Sequence, residues 1–281
     1  ARNGLKEKID KLKACSLLEY YEQGNLKMHD LVRETAIRIA HVNKYAFRER
    51  DGKVLKEWPS SGETSGCTIV SVPQSSDIRQ LPGDLGCPDV ELLLLYFNWH
   101  PMEIPDSTFE GTRKLKVIHF ARMELASLPI RPSSHSLANL RTLCLEDCSL
   151  LDLKTVTQLE RLEILSLRGS DLEALPSEIG KLTRMKVLDL SDCSKLRFIP
   201  VGVISKLTSL EELHMRNSFG NWEVEEEGTD GSNAMLSELK FLPRLEVLVI
   251  RVPDTRALSK DFFFDRLERF QILIGTRSER W

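Results

Sequence analysis

The chain has 281 residues, 41% of them hydrophobic and 29% charged, with a formal net charge of −3. That balance belongs to a folded globular protein rather than a disordered or collagen-like one. The two signs are too evenly mixed for a nucleic-acid or anionic-lipid footprint. The longest apolar run, residues 92–97, is far short of the ~18 residues that a membrane-spanning helix needs.

The chain starts Ala1-Arg2-Asn3 and reads as a piece of a longer protein. Leu5, Ile9 and Leu12 recur at i, i+4 and i+7 and predict an amphipathic helix. Two segments, Leu17-Leu18-Glu19-Tyr20-Tyr21 and Leu26-Lys27-Met28, flank Gln23-Gly24-Asn25 and predict a hairpin. Asp30 is placed to cap a following helix over about residues 31–40, with Val32, Ala36 and Ile39 on one face. Helix, hairpin, helix is the expected tail of a winged-helix region, residues 1–47. Residues 48–66, charged and then rich in Pro, Ser and Gly, read as a linker.

From residue 67 the pattern changes. Leucine occurs 44 times in the chain, a bias that calls for a search for repeats. The frame L-x-x-L-x-L-x-x-N/C starts at positions 67, 90, 115, 140, 162, 185, 210, 245 and 267. Its clearest copies are Leu140, Leu143, Leu145 and Cys148, and Met185, Leu188, Leu190 and Cys193; in the copy starting at Val90, Asn98 takes the last position. Most spacings fall in the 20–29 range of the leucine-rich repeat. The predicted fold class is therefore α/β: a leucine-rich-repeat solenoid of about nine repeats over residues 67–281, with a parallel sheet on its concave face. Alternation within the frame turns two aliphatic residues per strand inward, and each repeat buries its apolar face against its neighbours. Leu81-Pro82, Ile104-Pro105, Leu128-Pro129, Leu175-Pro176 and Ile199-Pro200 mark the return segments, where proline fixes the turn away from the sheet. One step is 35 residues long and holds an acidic insertion, 220–233.

Several of these residues carry a family resemblance. The stretch Lys27-Met28-His29-Asp30-Leu31-Val32-Arg33 resembles the MHD motif of plant nucleotide-binding leucine-rich-repeat disease-resistance proteins, the coiled-coil class in particular. The repeat at 171–182 and Trp222-Glu223-Val224 beside the acidic insertion resemble the same family. The resemblance implies that His29 reaches the β-phosphate of bound ADP and that Asp30 orients it, in an ADP/ATP switch that the repeats restrain. It also implies a cytoplasmic immune receptor, whose repeats recognise a pathogen effector or a guarded host protein and whose activation triggers a hypersensitive defense response. Intramolecular contact with the nucleotide-binding domain is part of the same expectation. The other reading is a repeat adaptor or scaffold that only binds protein partners.

This chain itself has no phosphate-binding loop. Its two Gly-Lys pairs, Gly52-Lys53 and Gly180-Lys181, are followed by Val54 and Leu182, and Phe47 and Leu175 occupy the first-glycine positions. No cofactor is therefore expected on the chain alone. Its six cysteines are spread without a disulfide framework or a zinc-type CxxC pair, which points to a reducing compartment. The histidines show no metal spacing, and no catalytic role is expected. A Cys-His pair built from His119, Cys144 and Glu146 lacks an oxyanion hole on an open face.

The outward strand positions are the candidate recognition surface. They include His119, Arg122, Asp147, Asp192, His214 and Arg251. The residues singled out for partner contact are Tyr96, Trp99, Glu146, Arg168, Asp189, Glu212 and Arg216. Leu92, Leu94 and Tyr96, with Phe97 and Trp99 beside them, are expected to form an exposed apolar cluster.

Overall fold

The computed structural model describes residues 2–15, 17–20, 26–28, 35, 39, 46–48, 55–72, 77–125, 128, 137–150, 153–224, 232–258 and 266–275. The first helix, α1 (Arg2–Ala14), is followed by a hairpin of β1 (Leu18–Tyr20) and β2 (Leu26–Met28), paired antiparallel with Leu18 opposite Met28. Of the next expected helix, Thr35 and Ile39 are described, and both are helical. His29 and Asp30 lie outside the described residues.

A parallel sheet then runs through the rest of the chain. Its main path is β3 (Ala46–Arg48), β4 (Ile69–Val72), β5 (Leu92–Pro101), β6 (Val117–Leu125), β7 (Thr142–Glu146), β9 (Ile164–Ser166), β10 (Val187–Asp189), β11 (Glu212–His214), β12 (Val247–Val252) and β13 (Arg269–Ile274). The two-residue β8 (Ser149–Leu150) pairs with the end of β6. Each strand lies beside the next in sequence, so the solenoid grows by one strand per repeat. Every one of the nine frames found in the sequence leads into a strand of this sheet.

The frame residues face one continuous core. Leu140, Leu143, Leu145 and Cys148 are buried to 1% exposure or less, as are Met185, Leu188, Leu190 and Cys193. Short 3₁₀ turns, among them Lys154–Gln158, Ser177–Lys181 and Leu236–Phe241, form the opposite wall. The buried members of the Leu-Pro and Ile-Pro pairs, such as Leu81, Leu175 and Ile199, close the layer between.

Where each repeat leaves its strand, one residue adopts a left-handed backbone. Arg122, Asp147, Gly169, Asp192 and Asn217 occupy this same frame position, with φ between 49° and 68°. After Asp147, Gly169, Asp192 and Asn217 the next side chain turns back and donates to the neighbouring repeat. The Ser170 hydroxyl donates to the Leu145 carbonyl at 2.8 Å, and the Cys193 thiol to the Leu167 carbonyl at 3.0 Å. Cys148 does the same to Phe120 at 3.7 Å. Burial pushes the Cys148 and Cys193 thiols up to about 12, which keeps them protonated donors.

Three features depart from the frame. In β5 the register shifts between Tyr96 and His100: Tyr96 lies opposite Ala121, and His100 opposite Met123. Two extra residues are absorbed there as a bulge. The expected inward Asn98 is therefore exposed, while Phe97 is fully buried and Trp99 takes the left-handed position with φ 51°. Second, β3 precedes the first repeat frame, with Phe47 opposite Val70. Third, the stretch read as a linker is tied to the solenoid: Trp58 Nε1 donates to the Leu85 carbonyl at 2.9 Å, and Thr64 is fully buried.

Candidate functional site: the outward face of the sheet

Parallel register sorts the outward side chains into rows that cross the strands. The first row is Ile69, Leu92, Val117, Thr142, Ile164 and Val187, continuing as Glu212, Val247 and Arg269. The second runs from Ser71 through Leu94, His119, Cys144, Ser166 and Asp189 to His214. Tyr96, Ala121 and Glu146 begin a third, and Arg168, Ser191 and Arg216 hold the equivalent frame positions in later repeats.

The face is cross-linked through its polar groups. Tyr96 Oη lies 3.2 Å from His119 Nδ1, with the rings edge to face at 5.1 Å between centroids. His119 Nε2 is 3.3 Å from Glu146 Oε2. With Nδ1 as acceptor the phenol donates to it, while Nε2 faces the carboxylate at ion-pair distance without hydrogen-bond geometry. The His119 imidazole beside it holds the Glu146 carboxyl below the ordinary carboxylate range, against the opposing effect of burial. Burial, with Glu146 and Cys144 nearby, pushes the Tyr96 phenol up and keeps it a donor. Cys144, between these groups, is raised to about 11 by burial and by the Glu146 and Asp189 carboxylates. Its thiol stays protonated, which removes the thiolate that a nucleophile would need.

Further along, His214 Nε2 is 3.0 Å from Glu212 Oε2. Asp192 joins two repeats at once. Its Oδ2 lies 3.3 Å from Arg168 Nε and 3.8 Å from an Arg216 guanidinium nitrogen, and its Oδ1 accepts from Asn217 at 3.1 Å. Its left-handed backbone, with N–H donated to the Arg216 carbonyl at 2.6 Å, aims the carboxylate between the two arginines.

The partner-contact candidates thus share one face but divide into groups. Tyr96 and Glu146 meet through His119, while Arg168 and Arg216 meet through Asp192. Glu212 pairs with His214. Asp189 turns back to accept from the Ser191 backbone N–H at 2.8 Å and is partly used up locally. Trp99 stands apart in the bulge, 52% exposed. The apolar cluster loses Phe97 to the core and keeps half-buried Leu92, Leu94 and Tyr96. The bridging role of Asp192 was not foreseen; its signal is an acidic residue at the left-handed frame position, flanked by arginines one repeat away on either side.

Comparison with known proteins agrees with this architecture. A leucine-rich repeat region is matched over residues 102–274. The chain belongs to the leucine-rich-repeat family. Its relatives narrow the class: it is 30% identical over 277 residues to a disease resistance protein of Arabidopsis thaliana, covering 96% of this chain and 28% of that one. A probable disease resistance protein of the same plant is 31% identical over 275 residues, covering 95% and 29%. The resemblance to plant disease-resistance proteins is borne out by these relatives, and the chain spans less than a third of their length. Among solved structures, the leucine-rich repeat domain of the type III effector XopL aligns with a TM-score of 0.55 at 18% identity, over 90% of this chain and 85% of that domain. That likeness is one of fold.

Proposed function

We propose that this chain is the repeat-bearing part of a cytoplasmic plant immune receptor, whose outward sheet face recognises a pathogen effector or a guarded host protein. The observation that carries the reading is the array of Glu146, Arg168, Asp189, Glu212 and Arg216 on or just after the strands of four successive repeats, in a chain whose relatives are disease resistance proteins. Charged and polar groups at such positions favour specificity and exchangeable partners over raw affinity. In the whole receptor, the Met28-His29-Asp30 motif would sense the phosphate of ADP and hold the resting state. The half-buried apolar side chains near Tyr96 would pack on the nucleotide-binding domain.

Substitution in the full-length receptor, read as cell death in leaf tissue, tests both parts. Arg168→Glu or Arg216→Glu is expected to change recognition without activity in the absence of an elicitor. His29→Ala, Asp30→Val, Tyr96→Ala or Trp99→Ala is expected to release the resting state. Silence of the first group, with normal expression, would remove the outward face from recognition. Silence of the second would leave an adaptor that binds partners without a switch.

A further inference from the structure

The outer wall of the solenoid gathers charge of one sign. Four segments form it, residues 154–161, 177–184, 204–209 and 236–244, each a 3₁₀ turn with its link toward the next strand, β9 to β12 in order. They hold seven lysines and arginines against three glutamates, a net of +4 in a chain whose total is −3. The corresponding segment nearer the start, residues 105–114, is balanced, with Asp106 and Glu110 against Arg113 and Lys114. Of the three glutamates, Glu238 is buried and bonded to three backbone N–H groups. Glu160 and Glu178 are the carboxylates left at the surface.

Along the sequence these cations are scattered; the repeat period brings them together. Arg161, Arg184 and Arg244 each stand just before the first frame residue of a repeat, and Lys181 and Lys206 each end a turn. All five are exposed. Arg161 donates to the neutral side chain of Asn139 at 2.9 Å. Lys206 lies across Gly180, its Cδ 3.0 Å from where a Cβ would stand, and so reaches back to the turn that ends in Lys181. None of the five has a carboxylate of a described residue within 4 Å, although Arg141 and Lys186 on the strand side share Glu163. Charges at the surface sense one another over about 8 Å at physiological salt, so an incoming carboxylate relieves repulsion within this group.

We infer that this wall is a second interaction surface and that its partner is an acidic segment of another protein. The turns and the outward side chains of the sheet lie on opposite sides of the core, so the two surfaces can be occupied at once, and neither depends on the other. Planar guanidinium groups pair with carboxylates through two parallel N–H bonds, which suits the three arginines. Three steps of about 4.8 Å between strands give a span of at least about 14 Å, which an extended chain of about five residues crosses. A bilayer fits less well. Phe241 is the one large apolar side chain exposed on these segments, and Lys240 lies over its ring at 5.1 Å, whereas a membrane contact buries several apolar groups. A nucleic-acid strand would likewise need more than one ring for its bases to stack on.

The test is fluorescence anisotropy on the 281-residue chain with two labelled peptides of about eight residues. One is rich in Glu and Asp; the other has Gln and Asn in their place. The acidic peptide is expected to bind at least about tenfold more tightly, although the chain as a whole is an anion. Arg161→Glu with Arg184→Glu should abolish that preference, and the milder Arg161→Gln with Arg184→Gln should reduce it, with circular dichroism confirming an unchanged fold. The same change of charge elsewhere, Arg79→Glu with Lys195→Glu, should leave it within about twofold. Equal binding of the two peptides, or a preference that survives the wall reversals, overturns the proposal. Capture of vesicles of phosphatidylcholine mixed with phosphatidylserine, lost in the same reversals while the acidic peptide fails, would make the occupant a membrane and overturn it too. So would a tenfold gain in peptide affinity on replacing Glu225, Glu226 and Glu227 by Gln, which would make the chain's own acidic insertion the occupant.

Discussion

At Gly169 a missing side chain matters more than any that is present. Its φ of +68° suits glycine, and a Cβ built there would sit 2.1 Å from Asp147 Oδ1. The equivalent positions in neighbouring repeats carry Asp, Asn or Arg, so the left-handed backbone alone is tolerated at a cost of about 1–2 kcal/mol. The half-exposed Asp147 carboxylate can turn aside from a methyl group, so the backbone cost dominates. Gly169→Ala is expected to lower stability by about 1–2 kcal/mol in chemical denaturation, and adding Asp147→Ala should change that little. Glu146 offers a second residue-scale test. Its folded-state pKa lies below the ordinary value, so its contribution to stability is present above the ordinary carboxylate range and is lost as pH falls through the lower folded value. Unfolding followed from about pH 5 to about pH 3 should therefore weaken less steeply in Glu146→Gln than in the parent chain. The difference should shrink when His119 is also replaced.

Among the elements, two neighbouring 3₁₀ turns of the outer wall, Ile204–Lys206 and Leu236–Phe241, share one buried carboxylate. Glu238, 6% exposed, accepts from the backbone N–H groups of Gly202 at 2.9 Å, Ser205 at 3.1 Å and Met235 at 3.3 Å, tying its own repeat to the one before. Glu238→Ala would strand three donors and is expected to cost about 3 kcal/mol, read as a fall in the denaturation midpoint; Glu238→Gln should cost less. This tie was not legible in the sequence, where Leu236-Ser237-Glu238 looks like any polar turn. The strands were legible, because each is announced by leucines at fixed spacing. Ala46–Arg48 was not, since Phe47 is its one large inward apolar residue and no leucine precedes it in frame. Asn98 was misplaced for a different reason: the frame counts residues, whereas the sheet counts backbone pairings, and a bulge separates the two. The rows on the outward face follow from register and could be drawn from the frames, but the aim of Asp192 between two arginines depends on its left-handed backbone.

For the molecule as a whole, the nucleotide is the dividing question. The 281-residue chain has His29 and Asp30 but no phosphate-binding loop, and a lone His-Asp pair does not hold a triphosphate. Isothermal titration with ADP or ATP is expected to give no binding in the micromolar range; a clear micromolar isotherm would mean that the phosphate-binding apparatus lies within these residues. Because each repeat touches mainly its neighbours, stability should be distributed along the solenoid rather than concentrated at a centre. At the far end, Phe270 and Ile274 are 58% and 54% exposed, where equivalent residues of inner repeats are buried. Amide exchange should be fastest in β13 and slowest around β7 to β11.

The long step between β11 and β12 is pinned at both ends. Trp222 Nε1 donates to the Arg251 carbonyl at 2.8 Å and packs edge to face on Phe219, while Asn233 accepts from Ile199 N–H and donates to the Arg197 carbonyl. These anchors hold whatever joins 224 to 232. Doubling the length of a flexible connection costs only about 0.6 kcal/mol in closure entropy, so this place works as a socket: cargo of different size and charge can be mounted there while the pitch of the coil on either side stays the same.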